Sequence, residues 1–147
     1  MSIFFGKHNV SDRIIIVTEK AFAFPAAMPI LPGHTLVCPK RHVATWEQLH
    51  ADEIKPLFDL VSDIKIALKK SFGATGFNIA WNEGAVAGQT VDHLHIHIIP
   101  RSSNDGGIVE YEPRKFLYRP GIRERSPEEE LQNVAKKIAQ NLPTKAL

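Results

Sequence analysis

Three of the chain's seven histidines, His93, His95 and His97, stand at every second position of the run VDHLHIHIIP, residues 91–100. An imidazole changes charge near neutral pH and serves as base, acid, nucleophile or metal ligand. A wetted sheet face draws Thr, Lys, Glu or Ser as readily as His, so three in register point to chemistry. Alternation with period two reads as a strand, with Leu94, Ile96 and Ile98 on one face and the histidines on the other. A strand rises ~3.3 Å per residue, which puts neighbouring histidine Cβ atoms ~6.6 Å apart and the outer pair ~13 Å apart. A zinc ion ~2.1 Å from each nitrogen is within reach of two neighbours and barely of three, unless a residue such as His34 completes the set. The competing reading is an elongated anionic substrate laid along the strand. A polyphosphate is a row of charges that a row of imidazoles can bind, attack and supply with protons.

Two loops are aimed at this strand. The turn Pro32-Gly33 delivers His34 to the start of the segment HTLVCP. The segment EGAVAGQT, residues 83–90, has small residues that let backbone N–H groups, the Gln89 amide and the Thr90 hydroxyl approach a phosphate closely. Taken alone, such a loop is simply a turn.

The elements that must hold these groups follow from periodicity. Residues 13–18 (RIIIVT), 21–25 (AFAFP), 34–39 (HTLVCP), 76–82 (GFNIAWN) and 91–100 read as five strands. Residues 51–72 carry Ile54, Leu57, Phe58, Val61, Ile64 and Leu68 at helical spacing, with Pro56 expected in the first turn. Ser126-Pro127-Glu128-Glu129 opens a C-terminal helix, 126–142, with a capping box and an apolar stripe of Leu131, Val134, Ile138 and Leu142 that Pro143 stops. Residues 101–125 show no period and read as a surface loop. The expectation is one α+β domain over 1–147, with a core over 1–100 that contains the histidine strand.

Bulk properties narrow the partners. The chain has 147 residues, 44% hydrophobic and 23% charged, as soluble globular proteins do. Its 18 Lys and Arg against 16 Asp and Glu leave +2, too mild to imply nucleic-acid binding. The one cysteine, Cys38, excludes an internal disulfide framework, fits a reducing compartment and sits in an apolar segment where a small buried hydrophobe is expected. The start, MSIFFGKHNVSD, turns polar too soon for a signal peptide, and no apolar run approaches ~20 residues. A cytoplasmic protein without a membrane partner is expected.

The segment His93-Leu94-His95-Ile96-His97-Ile98-Ile99 is similar to the histidine triad signature, in which histidines alternate with apolar residues. From about Phe4 to Pro100, including PGHTLVCPKRHV and AGQTVDHLHIHIIP, the chain resembles the fragile histidine triad branch, whose members hydrolyse dinucleoside polyphosphates. The resemblance implies a five-stranded antiparallel sheet with one central helix and a C-terminal helix. It implies that His95 attacks the α-phosphorus to form a nucleotidyl-histidine that water hydrolyses, and that His97 contacts the bridging oxygen and assists the leaving group. His93 and His34 would orient the nucleophile from beneath in a hydrogen-bonded chain. Gln89 and Thr90 match phosphate contacts, Asn82 a ribose or phosphate contact, and Phe5, Phe24 and Leu36 the walls of an apolar slot for the base. No cofactor is implied at the attacking centre, although a divalent cation accompanying the polyphosphate is compatible. A homodimer through GFNIAWN is implied as well. Two departures bear on the substrate: Ala26 stands where diadenosine hydrolases carry Asn or Asp, and Asn82-Glu83-Gly84 is closer to the branch that cleaves adenosine phosphoramidates. A phosphoramidase, a nucleotide-binding signalling module and a zinc site stay open as alternatives.

Overall fold

The structure, a computed structural model, describes residues 2–106 and 124–144. Most of the loop read over 101–125 therefore lies outside the described residues. A short hairpin of β1 (Phe4–Phe5) and β2 (His8–Asn9), which the sequence reading did not anticipate, precedes the main sheet. Then come β3 (Ile16–Val17), β4 (Ala21–Pro25), β5 (Thr35–Pro39), α1 (Ala51–Phe72), β6 (Gly76–Ala80), β7 (Ile96–Arg101) and α2 (Glu128–Ala139). The five strands pair antiparallel in the order β3-β4-β5-β7-β6, as expected for an α+β fold of this class.

Period two decides what each face of the sheet does. Ala21 and Ala23 of β4, Val37 of β5, and Ile96 and Ile98 of β7 pack with Leu57, Leu60, Val61, Ile64 and Leu68 of α1 and Ile138 of α2. Burial of each such Leu or Ile is worth ~1.5–3 kcal/mol. The alternate residues, Phe22, Phe24, Leu36 and Cys38, turn the other way and form a second cluster with Phe5 of the hairpin. His97 pairs with Leu36 across the ladder and lies on this second face. One face is thus a core sealed by the helices, and the other is an aromatic floor.

Helix α1 keeps the bounds read from the sequence, with one difference. It begins at Ala51, so Pro56 falls in the second turn, and Glu53 closes the first turn by accepting the His50 backbone N–H at 2.6 Å. Gly73, at φ +66°, caps the other end in the left-handed conformation that glycine favours. The buried stripe takes in Leu60 and Ala67, while Phe58 is 42% exposed. In α2 the expected cap at Ser126 is absent: Pro127 occupies the N-cap position without a side-chain hydrogen bond. The Ser126 backbone N–H instead donates to Ala27 O at 2.8 Å.

The first strand read over 13–18 shrinks to two residues, because Ser11–Arg13 coils into a 3-10 turn. The strand read over 76–82 stops at Ala80. The histidine strand begins only at Ile96, after His93 and His95. Proline explains the late start. Pairing of Leu36 with His97 and Val37 with Ile96 leads the register onward to Pro39, which has no N–H to give. Leu94 N–H donates to Val43 O at 2.7 Å instead.

Candidate active site

Where the ladder ends, freed backbone groups hold imidazoles. His93 Nε2–H donates to Pro39 O at 2.7 Å, and the Gly6 N–H donates to His93 Nδ1 at 3.3 Å. His95 Nδ1–H donates to the carbonyl of His93 at 2.7 Å. A carbonyl only accepts, so the proton of neutral His95 is on Nδ1 and the lone pair is on Nε2. The second arm starts at the loop before β5. Ile30 N–H donates to His34 Nδ1 at 3.0 Å, so the proton of neutral His34 is on Nε2, which lies 3.0 Å from His97 Nδ1. His97 accepts there and carries its own proton on Nε2.

The two arms end side by side. The rings of His95 and His97 lie 5.0 Å apart, edge to face, and one presents a lone pair while the other presents an N–H. Both side chains line a cleft of about 370 Å³ whose other walls include Phe5, Phe24, Leu36, His8 and Thr90. Phe5 packs against the His95 ring from the side, 4.9 Å away and edge to face. His93 and His34, each 1% exposed, stand behind the cleft as supports. Burial holds His93 below the ordinary histidine range, because charging it would cost its solvation; the Pro39 hydrogen bond opposes this, and nearby His42 adds to it. Burial likewise pushes the Cys38 thiol well above its ordinary value, which suits a core filler and not a nucleophile.

Gln89 and Asn82 are buried and stand outside the cleft lining. The Gln89 carboxamide accepts Gly84 N–H at 2.8 Å and donates to Ala44 O at 2.9 Å, so it ties down its own loop. Among the described residues, no three His, Cys, Asp or Glu side chains are disposed to share one metal ion. The cleft also recruits residues that sequence reasoning passed over: His8, Arg13, Met28, Val91 and Arg125.

Residues 7–104 match the HIT domain family. The chain belongs to that family. Over 103 residues it is 40% identical to the asymmetrical bis(5'-nucleosyl)-tetraphosphatase of Schizosaccharomyces pombe, a stretch covering 70% of this chain and 57% of that protein. The match thus spans less than two thirds of that relative's length. It is 38% identical over 116 residues to the bis(5'-adenosyl)-triphosphatase of Dictyostelium discoideum, covering 79% of this chain and 74% of the relative. In three dimensions the HIT chain is similar to Plasmodium falciparum diadenosine triphosphate hydrolase in complex with Cyclomarin A, with a TM-score of 0.78, 28% identity, and coverage of 95% and 82% of the two chains. A Zn-bound histidine triad family protein from Mycobacterium smegmatis aligns with a TM-score of 0.64 at 27% identity, covering 86% and 84%.

Proposed function

We propose that this HIT protein hydrolyses a dinucleoside polyphosphate at the α-phosphorus. The observation that carries the reading is the pair of tautomers at the cleft wall: a lone pair on His95 Nε2 beside a proton on His97 Nε2. His95 Nε2 attacks the α-phosphorus, the bond to the bridging oxygen breaks, and the proton of His97 passes to that oxygen. A nucleotidyl-histidine and a free nucleotide result. Water then attacks the same phosphorus, returns a proton to His97 and releases a nucleoside monophosphate with His95 restored. The leaving phosphate oxygen is a weak base, so a neutral imidazole suffices as nucleophile, and a divalent cation travels with the polyphosphate as part of the substrate. The base enters the slot of Phe5, Phe24 and Leu36, and Thr90 lies at the phosphate side.

The relatives named as tetraphosphatase and triphosphatase support this substrate class. The segment Asn82-Glu83-Gly84 favours a second reading, an adenosine phosphoramidase, in which the same His97 proton goes to a leaving nitrogen. We assign the protein to the cytoplasm, in keeping with its buried free thiol. It acts as a homodimer paired along β6, one of the two edge strands of the sheet, where Ile79 and, just past the strand, Trp81 are 41% and 37% exposed.

Stereochemistry tests the mechanism. Two in-line displacements at one phosphorus give net retention, whereas one displacement by a bound hydroxide gives inversion. A dinucleotide made chiral at the α-phosphorus with sulfur and oxygen isotopes is expected to release a monophosphate of retained configuration; inversion would overturn the covalent route. Competing an adenosine phosphoramidate against the dinucleotide ranks the two substrate classes. A nucleotide-binding signalling module would turn over neither at an appreciable rate.

A further inference from the structure

Behind the nucleophile stands a titratable side chain that the chemistry above does not use. His42, just past β5, is exposed, and its ring lies 4.9 Å from that of His93 at an interplanar angle of 39°. Rings at this distance touch. The other rings around His93 are Phe5 and Phe22, each 5.8 Å away. The buried imidazole is thus flanked by two apolar rings and by one imidazole that meets water.

His93 has to stay neutral where it is. Its Nε2–H donates to Pro39 O, its Nδ1 accepts the Gly6 N–H, and its own carbonyl holds the Nδ1–H of His95. A second proton on His93 would go to Nδ1 and face the Gly6 N–H, donor against donor. Gly6 lies in the turn of the hairpin β1–β2, and Phe5 of that hairpin packs on the His95 ring at 4.9 Å. Charging His93 would therefore disturb the ring that aims the lone pair. A charge on exposed His42 keeps its water and breaks none of these bonds. Two imidazoles in contact do not both charge readily, because like charges repel and the protons of such a pair are shared out between its members.

We propose that His42 is a positioning residue that takes up the proton of the pair in acid, so that His93 stays neutral and His95 stays aimed at the cleft. This rests on the reading of His95 as the nucleophile of a nucleotide hydrolase. The other ionisable groups about the pair are few. Lys40 and Arg41 adjoin His42 in the chain, and Arg41 is tied to Glu53 at 2.8 Å. Lys7 follows Gly6 in the hairpin turn, and the His8 ring stands 6.4 Å from Phe5. Asp92 precedes His93, His95 is bound to the His93 carbonyl, and the Cys38 thiol is kept neutral by burial. Lys7 and Lys40 act in the same sense as a charged His42, and Asp92 in the opposite one.

Nitrogen NMR of histidine-labelled protein, titrated from neutral pH into acid, tests this without any turnover; the signals lost in His42→Phe and in His93→Gln identify the two rings. In the wild type His42 is expected to take its proton first, while His93 keeps its Nε2–H tautomer. His42→Phe keeps an aromatic cover and removes the charge, so the His93 midpoint is expected to rise by about half a pH unit, the effect of one unit charge ~5 Å away in a largely aqueous setting. His42→Arg restores a charge that does not titrate and is expected to bring the midpoint back down. The acid limb of kcat on a dinucleotide should follow, moving up in His42→Phe and back in His42→Arg. A His93 midpoint that stays put in His42→Phe, or rises as far in His42→Arg, overturns the proposal, because the ring would then be a cover and nothing more. Should the variants fail to fold, the wild-type order of titration decides: His93 charging before His42 sinks the idea. Cleavage with an unshifted His93 spares the hydrolase reading and removes this one; the shifts without cleavage do the reverse.

Discussion

The histidine end and the Arg13 end of the cleft are built on opposite plans. At the histidine end, backbone groups hold three of the imidazoles: carbonyls of Pro39 and His93, and N–H groups of Gly6 and Ile30. At the other end Arg13 is held by a side chain 115 residues away, Glu128 on the first turn of α2. Arg125 donates to the same carboxylate at 3.1 Å. Burial works against ionising Glu128, yet the hydrogen bonds from Arg125 and Arg13 outweigh it and hold its carboxyl below the ordinary value. Backbone partners survive most substitutions nearby, so the reacting geometry is insulated from sequence drift. A side-chain partner is lost in a single substitution, so the geometry at Arg13 is easily retuned.

Removing the nucleophile breaks the contrast most sharply. His95→Ala is expected to lower turnover by at least ~10³-fold while nucleotide affinity changes by only a few-fold, since the lone pair and not a binding contact is lost. Steady-state rates alongside calorimetry check this, and a variant retaining a tenth of the activity would remove His95 from its role. The hydrogen bond between His34 and His97 comes next. His34→Ala deletes the donor that keeps the His97 proton on Nε2, and kcat is expected to fall by about 10²-fold. The loss should shrink for a nucleotidyl ester with an acidic leaving alcohol, which needs less protonation; an equal loss with every leaving group would mean that His34 only supports the fold.

A smaller effect probes the backbone plan itself. Gly6 sits at φ +59°, and a Cβ there would meet Val91 Cγ1 at 2.6 Å. Gly6→Ala is expected to cost roughly 1–2 kcal/mol for the left-handed conformation alone, and more for the clash, while disturbing the N–H that His93 accepts. Gly73, at φ +66° with open space around it, is the matched control: Gly73→Ala should show the conformational cost and leave activity unchanged. Urea midpoints and specific activity separate the two variants.

The smallest expected effect is in acid. Burial depresses His93, so the unfolded chain takes up a proton first; the stability contributed by neutral His93 is present above the ordinary histidine value of 6.5 and is lost as pH falls through it. Glu53 lies at the start of α1, far from either end of the cleft. Hydrogen bonds from Arg41 bring its carboxyl down from 4.5 to about 2. Its contribution is complete above the unfolded value and is lost as pH falls from 4.5 toward about 2. Urea midpoints measured from neutral pH downward are expected to fall in two steps, and Glu53→Gln should remove only the lower one.

The difference between the ends also governs what could be read without coordinates. Alternation carried the histidine face, because His93, His95 and His97 are local in sequence and their pleat is set by Leu94, Ile96 and Ile98 packing under α1. Helical spacing carried α1 for the same reason, though Phe58 and Leu60 exchanged places once the sheet fixed which side of the helix was inward. Long-range partners left no local mark. Arg13 read as part of a strand, and nothing near it in sequence announces Glu128. The 3-10 turn Ala85–Ala87, which brings Gln89 back onto Gly84, has no periodic signal either. The hairpin β1–β2 is two residues a side, below the length at which alternation is visible.

Glu83 gives the protein an optical property. Its Oε2 accepts both the Trp46 backbone N–H and the Trp81 indole N–H, each at 3.0 Å, and these are the chain's two tryptophans. Neither lines the cleft, and Trp81 stands beside β6, with its ring 6.4 Å from that of Phe58. Trp81 emission is accordingly expected to report on the edge of the sheet beside β6: titration with nucleotide should leave it in place, while covering that edge should shift it to the blue, so that coverage of the edge and occupancy of the cleft would be read through separate channels in one cuvette.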